Sequence, residues 1–249
     1  HRDLHSFPTR RSSDLVSCLY QASDNKIYAG TGTYYDNQKA ALRVKGSGLY
    51  VSSDANNFTL VEGTNGAGWD YINAVAIDNQ GRMYVATATG LMYRDAGSSV
   101  WSVAKGTNEG VALDLTGGVY DVKTSTNGLV IAFVDGKAFT SSNAGPEQFV
   151  CQSLKYKDGA NWVNPGKLPK NDISRMNFAI APSDQNVVYA SSAASVGSLE
   201  GVYASFDGGI VWRTILPFTT GTWNIFAGSG VNYGTYNNEI IVAPDNAEK

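Results

Sequence analysis

Seven carboxylates fall on segments between apolar, strand-like runs: Asp36, Asp70, Glu109, Asp114, Asp158, Asp172 and Glu200. Cleavage of a glycosidic bond needs two such groups about 5 to 9.5 Å apart, one as acid and the other as nucleophile or base. No spacing in the sequence selects a pair from the seven. The same segments carry Tyr34, Tyr35, Trp69, Tyr71, Trp162, Trp223, Tyr233 and Tyr236. Flat aromatic faces beside Asn, Asp and Thr suit sugar rings, and they equally suit a protein partner, because Tyr and Trp are enriched at interfaces. They can also simply pack loops onto a scaffold. The candidate ligand-contacting set is Tyr34, Tyr35, Asp36, Trp69, Asp70, Trp162, Trp223 and Tyr233. Other chemistries lack their residues. His1 and His5 are the only histidines, and both stand in a leader that matches nothing later in the chain. Imidazole catalysis and His metal sites are thereby excluded, and neither a metal nor a cofactor is expected. There is no phosphate-binding G-x-x-x-x-G-K-[ST] loop, no nucleophile-elbow Ser with a His partner and no C-x-x-C pair. Gly30-Thr31-Gly32 ends a strand but leads to another strand, the wrong context for a dinucleotide.

These residues need elements to hold them, and the composition points to strands. Only 16% of the 249 residues are charged, while Gly (27) and Tyr (14) are plentiful, favouring short strands and tight turns in one all-β domain. A net charge of −3 without basic clusters argues against a nucleic-acid partner. No apolar run approaches the 18 or more residues of a membrane span. Cys18 and Cys151 each sit in an apolar run, LVSCLY and FVCQSL, and read as two buried free thiols. Residues 1–15, HRDLHSFPTRRSSDL, resemble a translated sequencing adapter and are set aside as an artefactual or disordered leader. On that reading the true N-terminus is lost and says nothing about secretion.

The decisive pattern is an internal repeat. Asn73 to Trp101 reads as strand, turn, strand, Gly, strand, turn, strand, and the same order recurs three more times. The glycines that open the third strands, Gly48, Gly90, Gly136 and Gly201, are 42, 46 and 65 residues apart. Each unit reads as a four-stranded blade, with blades at about 16–63, 71–105, 117–156 and 173–216 and a partial one at 236–249 that ends inside its first hairpin. The expected fold is all-β: a β-propeller fragment of four four-stranded antiparallel blades plus the start of a fifth, in an open arc. Its end faces would be covered by the remainder of its own propeller. The long connections, 34–46, 63–70, 106–117, 157–172, 193–200 and 217–237, all fall on one side, where function is usually placed.

The turn between the last two strands of the fourth unit, Ser205-Phe206-Asp207-Gly208-Gly209-Ile210-Val211-Trp212, resembles the Asp-box S-x-D-x-G-x-T-W, with Val211 in place of Thr. Weaker versions stand at the same place in the other units. They are Ser52-Ser53-Asp54 with Asn56 for Gly, Tyr93-Arg94-Asp95-Ala96-Gly97 with Trp101 one residue late, and Ser141-Ser142-Asn143-Ala144-Gly145 without Trp. The chain is similar to the Asp-box, or BNR-repeat, propellers, and IYAGTGTYYDNQ with GSGLYVSSD is most similar to the secreted bacterial BNR-repeat and sortilin-like group. The resemblance implies a structural role for Ser52, Asp54, Asp95, Gly97, Ser141, Asn143, Gly145, Ser205, Asp207, Gly209 and Trp212. It implies a secreted or cell-surface, non-catalytic scaffold that binds polysaccharide or protein through its loop face. The alternative it leaves open is a fragment of an Asp-box glycoside hydrolase of the endoglucanase or xyloglucanase type. The arginine triad of sialidases has no counterpart, since Arg94 and Arg213 lie in a box turn and on a fourth strand.

Overall fold

The computed structural model describes residues 15–33, 43–143, 145–153, 157–158, 161–162, 166–169, 173–217, 225–228, 231–235 and 237–247. Four antiparallel sheets follow one another along the chain. Blade 1 comprises β1 (Val16–Gln21), β2 (Ile27–Thr31), β3 (Leu49–Ser52) and β4 (Thr59–Leu60), and blade 2 comprises β5 (Ile72–Ile77), β6 (Met83–Thr87), β7 (Leu91–Arg94) and β8 (Ser102–Val103). A hairpin of β9 (Lys105–Asn108) and β10 (Val111–Asp114) precedes blade 3, which is β11 (Val119–Thr124), β12 (Val130–Val134), β13 (Lys137–Ser141) and β14 (Phe149–Cys151). After the short pair β15 (Lys157–Asp158) and β16 (Asn161–Trp162) comes blade 4: β17 (Ile173–Ile180), β18 (Val188–Ala194), β19 (Leu199–Ser205) and β20 (Arg213–Pro217). A last pair, β21 (Ala227–Gly228) and β22 (Val231–Asn232), follows. The result is an open arc of propeller blades.

Blades stack face to face, so a strand inside the arc is covered on both sides. All five residues of β6 and all five of β12 are buried. That continuous run, MYVAT or VIAFV, is what double coverage demands, because alternate positions serve two different cores. Tyr84, Ala86 and Leu91 join Val122, Ala132 and Phe149 between blades 2 and 3, while Ile131 and Phe133 join Phe178, Tyr203 and Trp212 between blades 3 and 4. Each such large side chain contributes about 1.5–3 kcal/mol by leaving water. Among the described residues strand β1 packs on β5 with one face, and Leu19 is 69% exposed.

The inner strands are also stitched to one another by polar groups next to a bulge. Register shifts occur at Val16/Cys18, Ile72/Ala74 and Val119/Asp121. At each bulge a side chain reaches the following blade: Ser17 Oγ donates to the Ile72 carbonyl, Asn73 Nδ2 donates to the Val119 carbonyl at 2.6 Å, and Asp121 Oδ2 accepts the Phe178 N–H at 2.8 Å. The extra bulge residue twists the strand and aims that side chain sideways. Beyond blade 4 the chain returns to pack along β18. Asn238 exchanges hydrogen bonds with Ser191, and Tyr189 donates to the Ala247 carbonyl.

Two connections differ from their sequence reading as loops. Residues 106–117 contain the β9–β10 hairpin, which pairs in parallel with β14 and widens sheet 3 to six strands. Its turn places both Glu109 and Gly110 at positive φ, a primed turn that Asn-Gly would have advertised and Glu-Gly did not. Residues 193–200 are taken up by strand ends and a tight turn at Gly197. Gly201 accordingly lies inside β19, two residues after its start, opposite a register shift at Ser192/Ala193.

Candidate functional site

The two rims of the arc differ. On one, the hairpin turns β1–β2, β5–β6, β11–β12 and β17–β18 emerge together with the box turns. The other carries the long connection from Thr31 to Leu49 and all the blade-to-blade segments. That second rim is built by backbone stitching. Gly32 has φ +87, and a Cβ there would lie 2.0 Å from the Asp70 carbonyl oxygen, so only glycine fits. Thr31 Oγ1 donates to the Gly48 carbonyl and accepts the N–H groups of Ser47 and Gly48, and Gly46 N–H donates to the Asp70 carbonyl at 2.7 Å. Gly30-Thr31-Gly32 thus fastens the loop of blade 1 to the approach of blade 2.

Of the expected ligand-contacting residues, Tyr34, Tyr35, Asp36 and Trp223 lie outside the described residues. Trp162 contributes backbone to β16. Tyr233 is half-buried, its N–H bonded to the Phe226 carbonyl. Asp70 forms an ion pair with Lys45 at 2.8 Å. Trp69 turns inward: it is 7% exposed and meets Trp101 edge-on with ring centroids 4.8 Å apart, so its ring belongs to the core between blades 1 and 2 and offers no open stacking platform. The loop carboxylates are dispersed among elements. Glu109 and Asp114 belong to the outer-edge hairpin, and Glu200 is 9% exposed within β19. Among the described residues no group of three His, Cys, Asp or Glu side chains could hold a metal ion.

The box turns on the first rim show three arrangements. In blade 4, Asp207 Oδ1 accepts the Ser205 hydroxyl at 2.8 Å and the N–H groups of Ile210 and Val211, Gly209 N–H donates to Ser205 Oγ, and Trp212 Nε1 donates to the Gly209 carbonyl. Burial pushes the Asp207 carboxyl up, but the donors from Val211, Ser205 and Ile210 outweigh it and hold the group below its ordinary value. In blade 1, Asp54 accepts the N–H of Asn57, the Asn57 amide, the N–H of Asn56 and the Ser52 hydroxyl, which together hold its carboxyl well below the usual range. In blade 3, Ser141 Oγ donates to the Gly145 carbonyl. In blade 2, where Tyr93 stands in the serine position, Asp95 Oδ1 instead accepts Arg82 Nε at 2.6 Å.

Motif reading also missed polar groups on the inner strands. Asp121, 1% exposed, pairs with Lys123 at 3.0 Å, and this pairing is the main reason the lysine is held above its ordinary value. An alternating strand pattern gives no warning of a buried carboxylate whose partner lies two residues along the same face.

No protein-family model and no curated protein matches the chain. Among solved structures it is similar to the extracellular domain of the one-component system BT4673 from B. thetaiotaomicron, at 11% identity and a TM-score of 0.50, over 81% of this chain and 25% of that one. It is also similar to PorZ, a surface component of the type-IX secretion system of Porphyromonas gingivalis, at 16% identity and a TM-score of 0.45, over 82% and 22% of the two chains. A third is YCF48 bound to a D1 peptide, at 14% identity and a TM-score of 0.44, over 77% and 50%. The chain spans half or less of the length of these structures. No helix among the described residues is long and apolar enough to cross a membrane. The likeness to the BT4673 domain concerns the fold, and it agrees with the sheet order in giving a β-propeller arc.

Proposed function

We propose that the chain is a non-catalytic propeller scaffold, extracellular or on the cell surface, that engages polysaccharide or protein through the rim bearing its long connections. The observation that carries this reading is the one-sidedness of the molecule. Short hairpin and box turns close one rim, while the long connection of blade 1 and the blade-to-blade segments rise from the other. A rigid stack of blades with variable segments on one side is the usual arrangement for recognition. The similar BT4673 structure is an extracellular domain, which supports the location. Asp70, Glu200 and the hairpin that holds both Glu109 and Asp114 are three separate elements, an arrangement that supports binding over hydrolysis, which needs two carboxylates within about 9.5 Å across a scissile bond.

The test is a screen of the full chain against β-glucans, xyloglucan and a glycan array, reading both retention and release of reducing sugar. Retention without release, weakened in Trp162→Ala, Trp223→Ala or Tyr233→Ala, is the expected result. Release of reducing sugar would overturn the scaffold reading in favour of a glycoside hydrolase, and a folded sample that retains no glycan would move the proposal to a protein ligand.

A further inference from the structure

A cavity of about 290 Å³ opens on the rim opposite the long connections, in the seam between blades 1 and 2. Its walls come from the β1–β2 turn at Ser23 and Asp24, the β5–β6 turn at Gly81, and the box turn of blade 2 at Arg94, Asp95 and Gly97. Its apolar lining is Ala22, Ile77, Met83 and the ring of Tyr28. Three features bear on what would occupy it.

Tyr28 is 9% exposed, its ring held in the core between the two blades. Its ring joins the lining of the cavity, and Lys26, Asp24 and Arg94 are charged groups that act on its hydroxyl. The charges around the opening are already answered: Asp24 pairs with Lys26 at 2.6 Å, Arg82 bridges Asp95 at 2.6 Å and the buried Asp78 at 3.5 Å, and Arg94 lies over Trp101 at 4.8 Å. An ionic ligand would have to displace one of these partners, whereas hydroxyl groups can donate to the free lone pairs of Asp24 and Asp95 and accept from Arg94 without breaking any pair. Finally, the volume lies at the lower end of the range for small-molecule sites, the scale of one ring and not of a chain.

We propose that this seam is a binding site for a single neutral pyranose ring. The C–H face of the sugar lies toward Met83 and Ile77, and its hydroxyl edge meets Tyr28, Asp24, Asp95 and Arg94. Beyond its pair with Arg82, Asp95 keeps lone pairs for this because the serine that binds the box carboxylate in blades 1 and 4 is absent at Tyr93. The site is separate from the rim argued above and does not depend on it.

The experiment is a ¹H–¹⁵N NMR titration of the full chain with the methyl glycosides of glucose, galactose and mannose. Glucuronate and Nα-acetyl-lysine methylamide serve as anionic and cationic probes. One or more neutral glycosides should bind saturably in the millimolar range, shifting the amides of Ser23, Asp24, Gly81 and Gly97. Tyr28→Phe keeps the ring's packing and should weaken binding about tenfold, roughly what one lost hydrogen bond is worth. Asp95→Asn should weaken it less, and Val111→Ala on the exposed strand β10 should leave it unchanged. The proposal fails if no neutral glycoside saturates these amides, if Tyr28→Phe binds as tightly as the parent, or if only a charged probe binds.

Discussion

Asp207 and Asp95 occupy the same place in blades 4 and 2, yet their carboxylates are committed differently. In blade 4 the carboxylate is turned inward on its own loop, with Ser205, Ile210 and Val211 as donors, and the loop delivers Trp212, 3% exposed, into the core shared with blade 3. In blade 2 the carboxylate faces outward to Arg82, and Trp101, one residue later, packs half-exposed on Trp69 with its Nε1 donating to the Glu62 carbonyl. One position accounts for the divergence. Serine at 205 is small, fully buried and able to donate, and it pins the aspartate; Tyr93 cannot, and it packs against Tyr84 instead. A turn can thus keep its place in the blade while its acidic group is released for other contacts.

The largest consequence should appear at the two tryptophans. Trp212→Ala empties a buried site beside Phe178 and strands the Gly209 carbonyl, and it should cost about 3–5 kcal/mol. Trp101→Ala removes a half-exposed ring and should cost about 1–2 kcal/mol. Urea unfolding of both variants checks the pair. Equal losses would mean that the two turns anchor their blades alike and that the comparison has no energetic content.

The next effect concerns the aspartate of blade 4. Asp207→Ala leaves the N–H groups of Ile210 and Val211 without their acceptor and should cost about 1–2 kcal/mol in the same assay. The pH dependence has a definite sign. The folded carboxyl titrates below its ordinary value near 3.8, so the unfolded chain binds the proton first as acid is added. The contribution is therefore complete above about pH 4 and is lost as pH falls through the lower folded value. Asp207→Asn should flatten the acid limb of the stability curve in that window. An unchanged limb would show that the depressed titration of Asp207 is not coupled to folding.

What the sequence made legible follows from how local each signal is. Strand, turn and strand within a blade are short-range, so Asn73 to Trp101 and its three relatives fall on four sheets. The β9–β10 hairpin escaped because its turn, Glu109-Gly110, is an unusual pair for positive φ and its partner β14 lies some forty residues away. On the candidate site the aromatic residues could be assigned to a rim but not to a direction. Trp69 stands beside Asp70 in sequence, yet one side chain enters the core and the other, partly covered, pairs with the exposed Lys45. The seam cavity was beyond reach for a related reason. Tyr28 and Arg94 face each other only because blades 1 and 2 stack, and nothing in either blade's own pattern encodes its neighbour.

The smallest effect sharpens the comparison most. Asp95→Ala breaks the 2.6 Å pair with Arg82, but the aspartate side chain is 58% exposed and accepts nothing from its own turn. Pairs of that kind are worth about 0–1 kcal/mol, because the ions recover most of the lost attraction from water. Arg82 also keeps a contact to Asp78, whose carboxylate accepts the N–H groups of Gln80 and Arg82 and so stays in place. The unfolding midpoint of Asp95→Ala should therefore lie within about 0.5 kcal/mol of the parent, against the larger loss at Asp207. A loss as large as that of Asp207→Ala would show that Asp95 holds its turn after all. Near-neutrality would establish that this carboxylate is dispensable to the fold, as a side chain available for binding must be.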